Sequence, residues 1–326
     1  MTVDAALVTL DFALRQWQHG LTMPSATAPT PATDWPAISA AQAHEPSTRL
    51  PFFILDPTQP LLTGSVARSH LPALAQLAKH WSDALHITDQ AITLTLPAAA
   101  RTAFFEQANQ ALHAQGLIVA WRNETFPVVA QATGALLATQ ERAACRFWGC
   151  TTYGAHCNGY VVGANGRPSH LWIARRALDK ATDPGLLDNL IGGGVPHGQT
   201  PAQAVQREGW EEAGLRPAQL QGLAAGRRLR VARDVPEGFQ REEVSVYDLA
   251  LPAGLTPHNQ DGEVHSISLM PLAQALAHAA AGDMTVDAAL VTLDFALRHR
   301  LLPTLQHQHL QALSDALWIG RASLAL

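Results

Sequence analysis

The stretch that decides the fold reads GGGVPHGQT at residues 192–200 and, after a short spacer, REGWEEAGL at residues 207–215. Thr200 is suited to cap a helix, because its hydroxyl accepts a bond from a first-turn N–H, and Pro201 suits the first helical position. Gly214 is suited to the left-handed residue that follows a last turn. The stretch therefore predicts a glycine-rich loop that leads into a short helix with both ends marked.

Three glutamates share one face of this predicted helix. Glu208, Glu211 and Glu212 follow the i, i+3, i+4 spacing, which places side chains next to one another. Like charges at this spacing repel, and a divalent cation removes the repulsion. Oxygen ligands suit Mg²⁺, which is usually held by one or two carboxylates together with substrate phosphates. We expect a Mg²⁺ site here, with Mn²⁺ as the substitute ion; the alternative is a solvated acidic helix face.

The same stretch resembles the Nudix box, a pattern of Gly, five residues, Glu, seven residues, then Arg-Glu-hydrophobic-any-Glu-Glu-any-Gly-hydrophobic. Gln199 stands where the family has its first Glu, and Gly209 where it has an apolar side chain. Because Gln199 is neutral, the number of bound metals stays open. The resemblance implies an α+β fold, a Nudix α/β/α sandwich with a mixed sheet preceded by a small α+β domain. The matching residues are Gly193, Arg207, Glu208, Glu211, Glu212, Gly214 and Leu215.

Length and composition set limits on the rest of the chain. It has 326 residues, of which 47% are hydrophobic and 15% charged, with a formal net charge of −5. That length suits about two domains. No basic stripe suggests nucleic acid as a partner, and no apolar run is long enough to span a membrane. The three cysteines form no CxxC pair, and the N-terminus has no early positive cluster. We therefore expect a cytoplasmic protein, a monomer or a homodimer.

One segment of the chain occurs twice. Residues 1–15 and 284–298 are identical, MTVDAALVTLDFALR, and have helical apolar spacing. We expect the downstream copy to be packed and the upstream copy poorly packed, because residues 18–49 between it and the rest have the composition of a tether. The predicted domains are residues 1–49 as helix plus linker, 50–140 as a small α+β domain, and 141–326 as the catalytic domain.

Residues 50–140 show alternating strand and helix patterns. Strands are expected at 52–55, 92–96 and 117–121, and helices at 71–81 and 98–115. The Trp121–Glu124 stretch WRNE and the Glu141–Ala144 stretch ERAA resemble a Nudix subgroup that includes the Nudix part of fungal thiamine pyrophosphokinases. That resemblance implies hydrolysis of thiamine diphosphate or its oxidised analogues. Arg122 and Glu124 form either a surface ion pair or part of a substrate-facing surface.

The two predicted strands at 147–162 and 171–176 precede the glycine loop, with Asn165-Gly166 as the turn between them. Many members of the subgroup carry Gly-x-His-x-Asn-Gly-Tyr in the first of these. Arginine and lysine here suit a diphosphate, and we expect either Arg175 or Arg176, but not both, to be a solvated strand-end charge. The residues with an implied substrate-binding role are His156, Asn158, Tyr160, Arg175, Lys180, Gly193 and Gly194.

After the box, strands are expected at 227–233, 242–251 and 266–272, with a charged loop around residues 237–243 between the first two. Helices are expected at 272–281, 285–298 and 305–317. Nudix enzymes often use one more carboxylate outside the box. Glu263 is the first candidate, because it lies in a subgroup-like Asp-Gly-Glu-Val stretch, and Glu243 is the second; for each the alternative is a solvated charge.

These assignments predict a metal-dependent diphosphatase. Glu208, Glu211 and Glu212 are expected to hold Mg²⁺, Arg207 to orient them, Glu263 to assist, and Gly193 and Gly194 to let the backbone approach closely. The expected partner is a small-molecule diphosphate, with thiamine diphosphate as the specific hypothesis. The alternatives are ADP-ribose or another nucleoside diphosphate derivative and, in another class, a non-catalytic binding module, which Gln199 suggests.

Overall fold

The structure is a computed structural model that describes residues 35–57, 59–180, 182–302 and 307–317. The chain divides into two compact units. Of the described residues, the first unit contains 43–152 and 232–241, and the second contains 35–42, 153–231 and 242–317, apart from the gaps just given. The upstream copy at residues 1–15, and the linker as far as residue 34, lie outside the described residues.

The first described helix, α1 (Pro36–Ala41), belongs to the second unit. Trp35, Ala37 and Ala41 are buried in an apolar cluster of that unit. The prediction of a tether over residues 18–49 is therefore wrong for this segment. Its Pro- and Ala-rich composition is typical of a linker. The small side chains and Trp35 nevertheless pack on an apolar surface of the second unit, and the burial of that surface stabilises the helix there.

The first unit is built on a four-stranded sheet in the order β2-β1-β4-β3. Strand β1 pairs with β2 antiparallel and with β4 parallel. The apolar run of β1 is buried because helices cover it, and aromatic side chains such as Phe52, Phe105 and Trp148 contact one another in the core. The elements are β1 (Arg49–Asp56), β2 (Gln59–Ala67), α2 (Leu71–His80), β3 (Leu85–Ile87), β4 (Ile92–Leu94), α3 (Ala98–Ala114), the hairpin β5 (Thr125–Val129) and β6 (Leu136–Glu141), and α4 (Ala144–Trp148).

The strand predicted at residues 117–121 does not form. Gly116 has φ +73° and Ala120 has φ +56°, and this left-handed region is incompatible with an extended strand. The prediction that a strand begins at residue 147 is also wrong, because α4 runs to Trp148 and ends at Gly149 in a left-handed conformation.

In this unit the two subgroup-like stretches bond to each other. Glu124 accepts from Arg142 at 3.0 Å, and the Arg142 N–H donates to the Glu124 carbonyl. The backbone N–H of Arg122 donates to the Glu141 carboxylate. Glu124 thus forms an ion pair, but with Arg142 of the other stretch.

The second unit is organised around a seven-stranded sheet whose main path runs β11-β12-β7-β8-β13, with β10 paired to β7 and β9 paired to β8. Strand β7 pairs antiparallel with β8 and β10, and β8 pairs antiparallel with β9 and β13. Residues 163–167 turn between β7 and β8, as predicted, and Gly166 takes φ +74°. The strands are β7 (Thr151–Val162), β8 (Pro168–Arg176), β9 (Leu187–Asp188), β10 (Ile191–Gly194), β11 (Ala224–Val235), β12 (Gly238–Ala250) and β13 (Val264–Pro271).

Helices cover both faces of this sheet. Alternate residues of one strand serve the two faces, since Leu171 and Ile173 join one apolar cluster and Trp172 joins the other. Helix α5 lies on the Trp172 side, and α1, α6, α7 and α8 lie on the other, so the predicted α/β/α sandwich is confirmed. The helices are α5 (Pro201–Ala213), α6 (Leu272–Ala281), α7 (Val286–Arg298) and α8 (His307–Leu317).

The charged loop predicted around residues 237–243 is wrong. Strand β11 ends at Val235 and β12 begins at Gly238, so only two residues connect them. Residues 241–243 belong to the strand, where the charged side chains alternate between directions. No helix in the described part of the chain has both the length and the apolar content needed to cross a lipid bilayer.

The downstream copy of the repeated segment is packed, as predicted. Thr285 caps α7 through a bond from Ala288 N–H, and every residue from Ala288 to Leu297 is buried. Asp294 lies within this buried run and bonds to Arg298 at 2.6 Å.

Candidate active site

Helix α5 is held at both ends by the signals in its sequence. Thr200 and Gln203 form a reciprocal capping box, in which the Thr200 hydroxyl accepts from Gln203 N–H and the Gln203 side chain accepts from Thr200 N–H. Gly214 follows the last turn with φ +64°. Val205 and Gly209 are buried against the sheet, so the acidic face of the helix has a fixed direction.

That acidic face lies against β10 (Ile191–Gly194), which is called the glycine strand below. Strand β10 pairs with β7 so that Gly192 is opposite His156 and Gly193 is opposite Ala155. The Glu208 side chain occupies the space over Gly193 that any β-carbon would need. The backbone N–H of Gly192 donates to Glu212 Oε2 at 2.8 Å. The glycines thus allow two carboxylates to approach the backbone closely.

Arg207 contacts two of the three glutamates. Its guanidinium lies 2.8 Å from Glu208 Oε1 and 3.0 Å from Glu211 Oε2, and it donates to the Gly194 carbonyl. Burial lowers the pKa of Arg207, but the charges of Glu208 and Glu211 outweigh this and raise it. Arg207 therefore stays charged and ties Glu211 to the outer side of the cluster.

The surroundings of the Glu212 carboxyl oppose its ionisation. Burial and the nearby charge of Glu208 raise the pKa of Glu212 well above its usual value, although the Gly192 N–H lowers it. Asp188 adds to the increase, and the positive charge of Lys180 opposes it. Two carboxylates that disfavour each other's ionisation are the arrangement that a divalent cation stabilises.

The predicted three-glutamate metal set is only partly assembled. Among the described residues, no three His, Cys, Asp or Glu side chains converge as a group able to hold a metal. Glu208 and Glu212 both contact β10, through Gly193 and the Gly192 N–H, whereas the partner found for Glu211 is Arg207 on its own helix. The donor chemistry fits a hard cation such as Mg²⁺ held by these two carboxylates together with substrate phosphate oxygens.

The cationic residues before the glycine loop differ in their partners. Lys180 forms an ion pair with Glu263. Arg176 bonds to Asp188 at 3.1 Å, and Arg175 is exposed and donates to the Gly185 carbonyl. Arg175 is thus the more solvent-exposed of the two arginines, and Lys180 is the cation whose charge acts on Glu212.

The two carboxylates predicted outside the box lie in different places. Glu263 pairs with Lys180, which associates it with the cluster. Glu243 lies 3.5 Å from both Arg228 and Arg230, on strand residues away from the glycine loop. The geometry thus favours Glu263 over Glu243.

Three residues of β7 share one direction but not one environment. His156 packs over Gly192 and bonds to Asn189 at 2.9 Å. Asn158 is buried and bonds to Asp248 and Asn189. Tyr160 packs against Phe295 and His299 of the α7 region. The structure therefore brings His156 to β10, buries Asn158, and packs the half-buried Tyr160 against the α7 region.

Two acidic residues near the cluster were missed from the sequence. Glu242 lies with its carboxylate over Gly154, which pairs with Gly194, and Asp188 contributes to the raised pKa of Glu212. Glu242 was given no role in the site; the period-2 alternation of β12 was the signal that places its side chain on one face of the sheet.

Residues 154–290 match the family model of the NUDIX domain. The chain is 38% identical over 191 residues to "Nudix hydrolase 20, chloroplastic" of Arabidopsis thaliana, covering 57% of this chain and 49% of that protein. It is 37% identical over 194 residues to "Nudix hydrolase 24, chloroplastic" of the same plant, covering 58% and 51%.

A third relative is an uncharacterised protein of Saccharomyces cerevisiae, 32% identical over 191 residues, covering 55% of this chain and 55% of that protein. The chain spans about half the length of the curated relatives it matches.

Proposed function

We propose that this protein, whose residues 154–290 form a NUDIX domain, hydrolyses the diphosphate bond of a small molecule with the help of a divalent cation. The observation that carries the proposal is the pair Glu208 and Glu212, held side by side against the glycine strand with the pKa of Glu212 raised well above its usual value. Mg²⁺ is the proposed ion, with Mn²⁺ as a substitute.

In this proposal, side chains and backbone groups of the protein hold the cation, orient its ligands and contact the diphosphate. A bound cation would supply positive charge to the phosphate oxygens. Glu208 and Glu212 would hold it, and the Gly192 N–H fixes the direction of the Glu212 carboxylate. Arg207 holds Glu208 in place and keeps Glu211 outside the pair. Lys180, released from Glu263, provides a cation for the diphosphate.

The specific substrate we propose is thiamine diphosphate or an oxidised analogue of it, converted to the monophosphate and phosphate. This rests on the resemblance of the WRNE and ERAA stretches to the thiamine-associated subgroup. Their mutual bonds, Glu124 with Arg142 and Arg122 N–H with Glu141, support the interpretation that they form one structural unit. ADP-ribose and other nucleoside diphosphate derivatives are the competing substrates.

The test is a screen of diphosphates with Mg²⁺, in which each monophosphate product is identified by mass. We expect Glu212→Gln to abolish product formation, because it removes one of the two paired charges, while the circular dichroism spectrum is unchanged. Glu106→Gln, the same change at an exposed helical position of the first unit, is the matched control and is expected to keep full activity. Equal turnover by Glu212→Gln and the wild type would exclude the proposed role, and binding without turnover by the wild type would favour a non-catalytic module.

A further inference from the structure

A buried chain of polar side chains connects α7 to the glycine strand. It runs from Arg298 through Asp248, Asn158 and Asn189 to His156. Asp248, Asn158, Asn189 and His156 are each at most 9% exposed. Buried polar groups of this kind are satisfied by specific partners, and the identity of each partner fixes which atom faces it.

In the hydrogen bond between Asp248 and Asn158, only one assignment of donor and acceptor is possible. Asp248 accepts two bonds from Arg298 and one from His299. Burial raises the pKa of Asp248, but the bonds from His299 and Arg298 outweigh this and lower it. An ionised carboxylate only accepts, so the Asn158 atom 3.1 Å from Asp248 Oδ1 must be the amide nitrogen. The same nitrogen also faces the Val291 carbonyl.

The direction of the second link follows from the first. With its nitrogen facing Asp248, Asn158 presents its oxygen to Asn189, whose amide nitrogen donates at 3.3 Å. The nitrogen of Asn189 also faces the carbonyl of Ala288 and the hydroxyl of Thr292. A carbonyl only accepts, which favours the same orientation of the Asn189 amide. Asn189 therefore presents its oxygen to His156.

The last link places a proton on one nitrogen of His156. The Asn189 oxygen lies 2.9 Å from His156 Nδ1 and is an acceptor, so Nδ1 must carry the hydrogen. In the neutral ring, Nε2 is then an acceptor. With the opposite tautomer, two acceptors would face each other at 2.9 Å, and the ring would be driven from its position over Gly192.

We propose that Asp248, Asn158 and Asn189 are positioning residues that hold the His156 proton on Nδ1 and so fix the ring over Gly192, whose N–H orients Glu212. This inference rests on the proposed function for its catalytic consequence, but the tautomer itself does not. The neighbouring charges that face His156 are Asp188 at 3.9 Å, on the same side as Nδ1, and Arg176, which is paired with Asp188.

The test is nuclear magnetic resonance of the full chain labelled with ¹⁵N-histidine, in which two-bond proton–nitrogen correlations show which ring nitrogen carries the hydrogen. His156→Gln identifies the signals of His156 by their loss. We expect Nδ1 protonated and Nε2 bare in the wild type. Asn189→Leu removes the acceptor for Nδ1 and is expected to lose that state.

A change at an exposed histidine serves as the spectral control. His80→Gln is expected to leave the His156 signals unchanged. Asn189→Leu is further expected to lower kcat by about tenfold or more, with KM changed much less, as for other groups that orient a metal-holding side chain.

Two results would overturn the proposal: a wild-type ring protonated on Nε2, or an Asn189→Leu variant that folds and keeps Nδ1 protonated. The wild-type spectrum decides the first even if the variant does not fold. If no diphosphate is hydrolysed but the tautomer is as stated, the proposed function is wrong, whereas the proposed role of Asp248, Asn158 and Asn189 in fixing the tautomer is supported.

Discussion

At the scale of single residues, the carboxyl of Glu212 couples the site to protein stability. The raised pKa means that the folded protein retains the Glu212 proton above the usual value of 4.5, where the unfolded chain has lost it. A state that binds more protons becomes less favourable as pH rises. The free energy of unfolding therefore decreases as pH rises above about 4.5. A bound cation would reverse the effect, because it stabilises the ionised form.

This predicts a pH-dependent stability that a metal removes. In a chelator, the urea midpoint of the wild type should fall relative to that of Glu212→Gln as pH rises from 4.5 toward neutrality. Addition of Mg²⁺ should raise the wild-type midpoint at neutral pH and leave the variant unchanged. Parallel pH profiles for the two proteins in chelator would contradict the account of Glu212.

A second residue-scale prediction concerns Gly193. A β-carbon there would occupy the position of the Glu208 side chain, so Gly193→Ala should displace that carboxylate. Misplacement of a reacting group by about 1 Å can cost about 100-fold in rate, and we expect a loss of that order in kcat with little loss of stability. Gly254→Ala, where the added carbon meets open space, is the control. Full activity in Gly193→Ala would show that Glu208 does not need its present position.

At the scale of elements, local signals predicted α5 well and the metal set less well. The ends of α5 follow from Thr200, Pro201 and Gly214, which act through their own backbone neighbours. Which glutamates converge depends on contacts outside the helix, because Glu208 lies over Gly193 and Glu212 accepts from the Gly192 N–H. Helical spacing gives a shared face, but it does not give the partner that each side chain finds in three dimensions.

Other sequence-based predictions were wrong because they also depended on contacts or backbone conformations that local sequence does not specify. The strand predicted at 117–121 had the right apolar residues, but the positive φ values at Gly116 and Ala120 prevent it. Helix α1 was missed because Pro- and Ala-rich sequence favours a linker unless a surface such as that of α7 is available, and nothing local reports that surface. The partners of Asn158 and Tyr160 lie far along the chain, so a motif match alone assigned them to the substrate.

The repeated segment gives an element-scale prediction with an internal control. Leu293 of α7 is fully buried, and truncation of a buried leucine costs about 2–5 kcal/mol. The equivalent change Leu10→Ala, in the identical upstream copy, should shift the unfolding free energy by less than about 0.5 kcal/mol. Chemical denaturation of both variants measures the difference. A larger effect from Leu10→Ala would mean that the upstream copy is the more tightly packed.

At the scale of the whole molecule, the two compact units divide the proposed tasks. The second unit contains the glycine strand, α5 and the buried hydrogen-bonded side chains between Arg298 and His156. It therefore holds all the groups proposed for catalysis. The first unit contains the two subgroup-like stretches on which the thiamine proposal rests. The proposed hydrolysis of a diphosphate therefore rests on residues of one unit, and the proposal of a thiamine substrate rests on sequence resemblance in the other.

The central claim is that Glu208 and Glu212 share a divalent cation, and titration with Mn²⁺ followed by electron paramagnetic resonance tests it most directly. The signal of free Mn²⁺ should fall on addition of the wild-type protein with a non-hydrolysable diphosphate, and Mg²⁺ should compete. The double variant Glu208→Gln/Glu212→Gln should leave the free signal almost unchanged. Equal binding of Mn²⁺ by both proteins, or no binding by the wild type, would contradict the account.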